Sequence, residues 1–185
     1  MSALKFIWQY IHKPRTVGAI LPSSKYLAKK MSAKVDFEKA AVIVEYGPGT
    51  GVFTDEILSK RKPDTRLLLL ERNPEFAKQL TKKYKNTQNM TVINDTAEQI
   101  GKYLNIHSIQ KADYIFSGLP FASLPQDVSE NILSETKKHL SENGKFITFQ
   151  YTLFRKSLLS KHFCDISISH ELRNIPPAYV LFCGN

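Results

Sequence analysis

Three carboxylates and three glycines stand where apolar runs give way to polar sequence. Glu45 closes the run Val42, Ile43, Val44, and Gly47, Gly49 and Gly51 follow it at alternate positions. Glu71 closes a second run that is four leucines long, and Asp95 closes a third over residues 91–95, with Thr96 and Ala97 directly after it. Short apolar runs of this kind fill buried parallel strands. A strand, a glycine turn and a helix in that order make the first half of a βαβ unit. Glycines supply φ values that a Cβ forbids and let a ligand come close to the main chain. The pyrophosphate fingerprint G-x-G-x-x-G needs a third glycine where this chain has Val52. An acid ahead of the turn suits a different ligand, one with a cationic amino-acid end and no pyrophosphate. Glu71 lies 20 residues beyond Gly51, about the offset at which βαβ folds place a carboxylate for ribose hydroxyls. Three strand ends that each carry an acid at one sheet edge form a binding line.

The elements that position this line can be read in order. Helical spacing over Phe53, Ile57 and Leu58 follows the glycine turn, and Asn73-Pro74 opens another helix through Phe76, Ala77, Leu80 and Tyr84. A fourth strand, residues 113–117, runs into Gly118-Leu-Pro-Phe-Ala-Ser-Leu-Pro. A helix over 126–140 is expected to stop at Gly144, and a fifth strand covers 145–151. Residues 163–183 alternate as a closing antiparallel hairpin. The predicted fold is α/β: a three-layer, Rossmann-like, mostly parallel sheet over residues 36–185, with a helical cap over residues 1–35. Ser23 or Ser24 is the expected N-cap of a helix over residues 25–31. Tyr151 and Tyr179 are read as core or rim residues.

Composition narrows the function classes. The chain has 185 residues, 42% hydrophobic and 23% charged, which fits one globular domain with a sizeable core. No apolar run approaches the roughly 18 residues of a membrane span. No secretory leader is legible, and a cytoplasmic monomer is expected. Two cysteines and five scattered histidines give neither a disulfide framework nor metal-ligand spacing. Net charge is +9, and residues 1–40 alone carry +6 of it. Positive charge gathered at one end points to an anionic partner, membrane or nucleic acid, or to a solvated basic face. Residues 2–12 have helical apolar spacing (Leu4, Ile7, Trp8, Ile11), with Lys13 and Arg15 just after. That stretch is read as a core helix or as a helix lying in a lipid headgroup layer.

The blocks P-R-T-V-G-A-I-L-P-S-S (14–24), V-E-Y-G-P-G-T-G-V-F-T (44–54), L-E-R-N-P-E-F (70–76), S-G-L-P-F-A-S-L-P (117–125) and I-P-P-A-Y-V (175–180) resemble the bacterial phospholipid N-methyltransferases of the small soluble type, within the class I S-adenosylmethionine-dependent methyltransferases. The resemblance implies methyl transfer from S-adenosylmethionine to the amine of phosphatidylethanolamine-type lipids. It also implies peripheral membrane attachment, with residues 2–13 on an anionic surface. It assigns Glu45, Gly47, Gly49 and Gly51 to the methionyl part and Glu71, with Arg72 in the same block, to the ribose. Asp95, Thr96 and Ala97 fall to the adenine. In amino-methylating members the fourth strand ends in N/D-P-P-Y/F or N-x-P-Y, whose amide or carboxylate accepts from the amine being methylated. Here Pro120-Phe121 occupies the last two positions, Gly118 stands in place of the Asn, and Ser117, the neighbouring polar group, is counted with the cofactor-binding residues. Phe121 is expected to face the acceptor, and Tyr46 is the nearest candidate for a base. The open alternatives are an enzyme like the ribosomal RNA adenine N6-methyltransferases and a non-catalytic S-adenosylmethionine-binding protein.

Overall fold

The computed structural model describes residues 24–153 and 156–185. The expected helix over residues 2–12 lies outside the described residues. So do the loop that follows it and the membrane contact assigned to residues 2–13. The elements are α1 (Lys25–Ser32), β1 (Val42–Tyr46), α2 (Val52–Leu58), β2 (Arg66–Leu70), α3 (Pro74–Lys83), β3 (Met90–Ile93), a short 3₁₀ turn (Ala97–Gln99), α4 (Ile100–Ile106), β4 (Ala112–Ser117), α5 (Gln126–His139), β5 (Leu140–Gln150), α6 (Lys156–His162), β6 (Asp165–Glu171) and β7 (Ala178–Gly184).

All seven strands form one sheet in the order β3-β2-β1-β4-β5-β7-β6. β1 to β5 are mutually parallel, and β7 pairs antiparallel with both β5 and β6. Strand order reverses between β1 and β4, and such a switch point opens a crevice at the carboxyl ends of the strands. Register aligns those ends. Tyr46 lies beside both Leu70 and Ser117, and Leu70 lies beside Ile93. Gly47, Glu71 and Gly118 each donate one more ladder bond, to Leu70, Ile93 and Tyr46 carbonyls at 2.8–2.9 Å.

Alternation along the strands divides the core in two. Val44, Tyr46, Leu68, Leu70, Ile115 and Phe146 pack with Ile100, Leu104, Ile132, Leu133 and Leu159 on one side. Ile43, Leu67, Leu69, Phe116 and Ile147 pack with Leu27, Met31, Phe53 and Ile57 on the other. This is the expected three-layer arrangement. α1 is only eight residues long, too short to be stable alone in water. Complete burial of Leu27 and Met31 holds it, at about 1.5–3 kcal/mol per side chain. The helix over 25–32 is thereby part of the main core, although it falls in the segment read as a cap. Ser24 is its N-cap, accepting from Leu27 N–H at 3.2 Å. One boundary differs from expectation. α5 stops at His139, and Leu140 is already extended and starts β5. Gly144 therefore caps no helix. It lies beside the register shift between β4 and β5, where an added Cβ would stand 2.9 Å from the Asp113 carbonyl oxygen.

Candidate functional site

The turn after β1 takes left-handed backbone at Gly47, Gly49 and Gly51 (φ +61°, +56° and +86°). Their surroundings differ. An added Cβ on Gly51 would stand 2.4 Å from the Tyr84 hydroxyl, and one on Gly47 would stand 2.8 Å from a Leu119 methyl. Of the three, Gly49 alone has nothing among the described residues within 4 Å of that position. Gly51 is therefore a packing glycine against α3, Gly47 is covered by the β4 loop, and Gly49 is the one whose face is open.

Glu71 is held beside that opening. Its Oε2 accepts from Gly49 N–H at 3.0 Å and its Oε1 from Asn73 N–H at 2.8 Å. Burial raises its pKa, while these two backbone donors pull it back. Each oxygen keeps a lone pair for another donor. Asn94, which the sequence did not single out, donates to the Glu71 and Arg72 carbonyls at 2.8 and 3.1 Å and fixes the end of β2. Arg72 itself is exposed.

Glu45 lies in β1 beneath the turn and is completely buried. Its Oε2 accepts from the Thr54 hydroxyl at 2.7 Å, and its Oε1 has no hydrogen-bond partner among the described residues. Desolvation pushes its pKa up to about 8, the Thr54 bond opposes this, the Asp55 and Glu71 carboxylates add to it, and Lys83 opposes. A buried acid with one unmatched oxygen is costly by itself. A cation brought to the turn would favour its charged form. Thr54 was missed as a partner, although it stands in the first turn of α2, nine residues after Glu45.

Beyond the end of β3, Asp95 accepts from the Tyr103 hydroxyl at 2.7 Å and from Thr96 N–H at 2.8 Å, and Lys102 lies 3.5 Å away. These contacts, the tyrosine bond foremost, hold its carboxyl below the usual carboxylate range. Thr96 caps the 3₁₀ turn, and the Ala97 methyl is buried in the core. Tyr103 was also missed.

Three expected site residues, Tyr46, Phe121 and Ser117, are buried. Tyr46 alternates with Glu45, so its ring enters the opposite core layer. There it is completely buried, with its hydroxyl accepting from Thr136 at 3.3 Å, and burial raises its pKa further. A phenol sealed in that way is no base for a substrate. Phe121 is 1% exposed and packs edge-on against Phe146 at 6.1 Å, inside the core. Ser117 is completely buried, and its Oγ accepts from Leu119 N–H at 3.2 Å, so it shapes the loop. Gly118 is more than a missing side chain. A Cβ there would lie 2.7 Å from the Gly47 carbonyl oxygen, so the two loops meet through main chain.

The open Gly49 cradle, the paired Glu71 carboxylate and the unmatched Glu45 oxygen fit an adenosyl ligand with a cationic amino-acid end. Among the described residues there is no group of three or more His, Cys, Asp or Glu that could hold a metal ion, and no helix is long and apolar enough to cross a membrane. Comparison with known proteins agrees on the chemistry. The family described as Ribosomal RNA adenine dimethylase matches residues 11–171. An ornithine lipid N-methyltransferase of Singulisphaera acidiphila is 30% identical over 180 residues, covering 96% of this chain and 93% of its own. A ribosomal RNA small subunit methyltransferase A of Hydrogenobaculum is 28% identical over 133 residues, covering 70% of this chain but 47% of its own. Among solved structures, a precorrin-6y C5,15-methyltransferase of Geobacter metallireducens superposes with a TM-score of 0.68 at 18% identity, covering 92% of this chain and 94% of its own. An Aeropyrum pernix fibrillarin with natively bound S-adenosyl-L-methionine superposes with 0.65 at 14% identity, covering 86% and 75%.

Proposed function

This chain belongs to the ribosomal RNA adenine dimethylase family of S-adenosylmethionine-dependent methyltransferases, and from that membership we propose that its methyl acceptor is the primary amine of a lipid headgroup, of the phosphatidylethanolamine or ornithine lipid type. The observation that carries the proposal is the end-to-end match to a lipid N-methyltransferase, 96% of one chain on 93% of the other. Gly118 supports it. The position that holds an amide or carboxylate in enzymes acting on bases has neither that side chain nor room for one here.

When bound, S-adenosylmethionine supplies a sulfonium methyl already activated toward an amine. What remains for the protein is to align donor and nucleophile at about 3–3.5 Å and keep water out. Glu71, held by the Gly49 and Asn73 amides, accepts the ribose hydroxyls. Glu45 provides the counter-charge for the amino-acid end and is itself steadied by Thr54. Asp95, fixed by Tyr103, and the adjoining Thr96 main chain border the adenine. On the acceptor side Gly118 brings no side chain to the edge, which suits a small amine better than a flat base.

A second reading, transfer to an adenine of ribosomal RNA, has the family match and the ribosomal relative in its favour. One assay separates them. Protein and labelled methyl donor are offered extracted lipid and ribosomal RNA together. Label in the lipid amine is the expected result, and label in RNA with none in lipid reverses the proposal.

A further inference from the structure

Five large apolar side chains stand exposed among the described residues, and four of them (Tyr26, Leu153, Leu172 and Ile175) collect at one end of the molecule. Register shows which end. Ser117 pairs with Thr148, Gln150 with Tyr179, and Ala178 with Glu171. The β6–β7 connection, residues 172–177, therefore emerges at the edge that carries Gly47, Glu71 and Gly118. Leu153 follows the end of β5 by three residues at that same edge.

The connection has inverted polarity. In a solvent-exposed hairpin tip the polar side chains ordinarily face water and the apolar ones turn in. Here Asn174 is 3% exposed and fully engaged, its Oδ1 accepting from Ser24 N–H at 3.1 Å and its Nδ2 donating to the Pro176 carbonyl at 2.7 Å. Glu171 is buried and receives Arg173 through its backbone N–H, Nε and an Nη at 2.9–3.0 Å. The Arg173 guanidinium covers the Tyr26 ring at 4.4 Å. The polar residues thus fasten the tip to the start of α1, and Leu172 and Ile175 are held outward, 74% and 75% exposed. On α1, the helix that carries Tyr26, Lys25 and Lys29 are exposed, and such cations complement a negative surface.

We propose that Leu172 and Ile175, with Tyr26 and the exposed Lys25 and Lys29 of α1, form the surface that seats this protein on an anionic bilayer and brings the Gly47–Gly118 edge to headgroup level. The proposal rests on the lipid-amine reading. Outward apolar side chains with lysines on the adjoining helix match the interface of a bilayer, where apolar groups enter the headgroup–acyl boundary and cations meet anionic lipid.

The test uses the full chain, a Leu172→Asp/Ile175→Asp variant and a Lys25→Glu/Lys29→Glu variant. Flotation with phosphatidylglycerol–phosphatidylcholine vesicles is expected to show partitioning weakened about tenfold or more in the first variant. The second variant should lose the preference for anionic over pure phosphatidylcholine vesicles. Calorimetric affinity for S-adenosylmethionine, and transfer to a monomeric short-chain lipid amine, should stay at wild-type level in the first variant, which also shows that it is folded. Wild-type partitioning by the Asp pair overturns the proposal, even if lipid is methylated. Tip-dependent partitioning with label only in RNA keeps the surface and removes the lipid-amine reading.

Discussion

On the β1–β3 half of the binding edge, the groups that face a ligand are carboxylates aimed by main-chain amides, as Glu71 is by Gly49 and Asn73. On the β4–β5 half, the side chains turn inward. Phe121 packs on Phe146, Ser117 bonds its own loop, and Gly118 meets the Gly47 carbonyl. On the proposed function, the first half grips an adenosyl group, which has many fixed polar atoms, and the second meets an acceptor that offers a single amine. Side-chain substitutions should then act very differently on the two.

The largest difference is expected at Glu45. Its folded pKa of about 8 lies above the ordinary 4.5, so the native state keeps a proton that the unfolded chain gives up. Stability of the cofactor-free protein should therefore fall as pH rises between those values, by about 1.4 kcal/mol per pH unit, and level off above. Glu45→Gln should flatten that slope in urea unfolding series at stepped pH and weaken cofactor binding. An unchanged slope would place the charge elsewhere. Phe121→Ala comes next, as a core truncation costing about 3–5 kcal/mol. A variant of wild-type stability that has lost only turnover would return the ring to the acceptor side and break the comparison.

Gly118→Asn must displace the Gly47 carbonyl. It should lower stability by about 1–3 kcal/mol in thermal or denaturant unfolding and confer no RNA methylation. Gain of that activity would show that the main-chain contact is dispensable. Glu71→Ala should leave the fold least disturbed and is the most selective. It removes charge-assisted bonds worth about 1.5–3 kcal/mol each, so calorimetry should find cofactor affinity at least about tenfold weaker in a folded protein. Unchanged affinity would mean that the ribose lies elsewhere, and the contrast between the halves would go with it.

The sequence alone determined the strand–turn–helix around Glu45 and Gly49, the acids after β2 and β3, the capped start of α3 at Asn73 and the closing hairpin. Each is written in near neighbours, as an apolar run, a glycine spacing or a cap. Tertiary structure decided which way the side chains face. Strand alternation requires Glu45 and Tyr46 to point to opposite sides, but only the packing of α2 on one side and α5 on the other shows which of them stays beneath the turn. Gly47, Gly49 and Gly51 look equivalent in the chain and differ because Leu119 and Tyr84 arrive from 72 and 33 residues away. The loop after β4 and the tip after β6 have no period from which an inside could be read. There the inward turn of Phe121 and the outward turn of Leu172 and Ile175 were set by contacts with Phe146, Ser24 and Tyr26, partners remote in sequence.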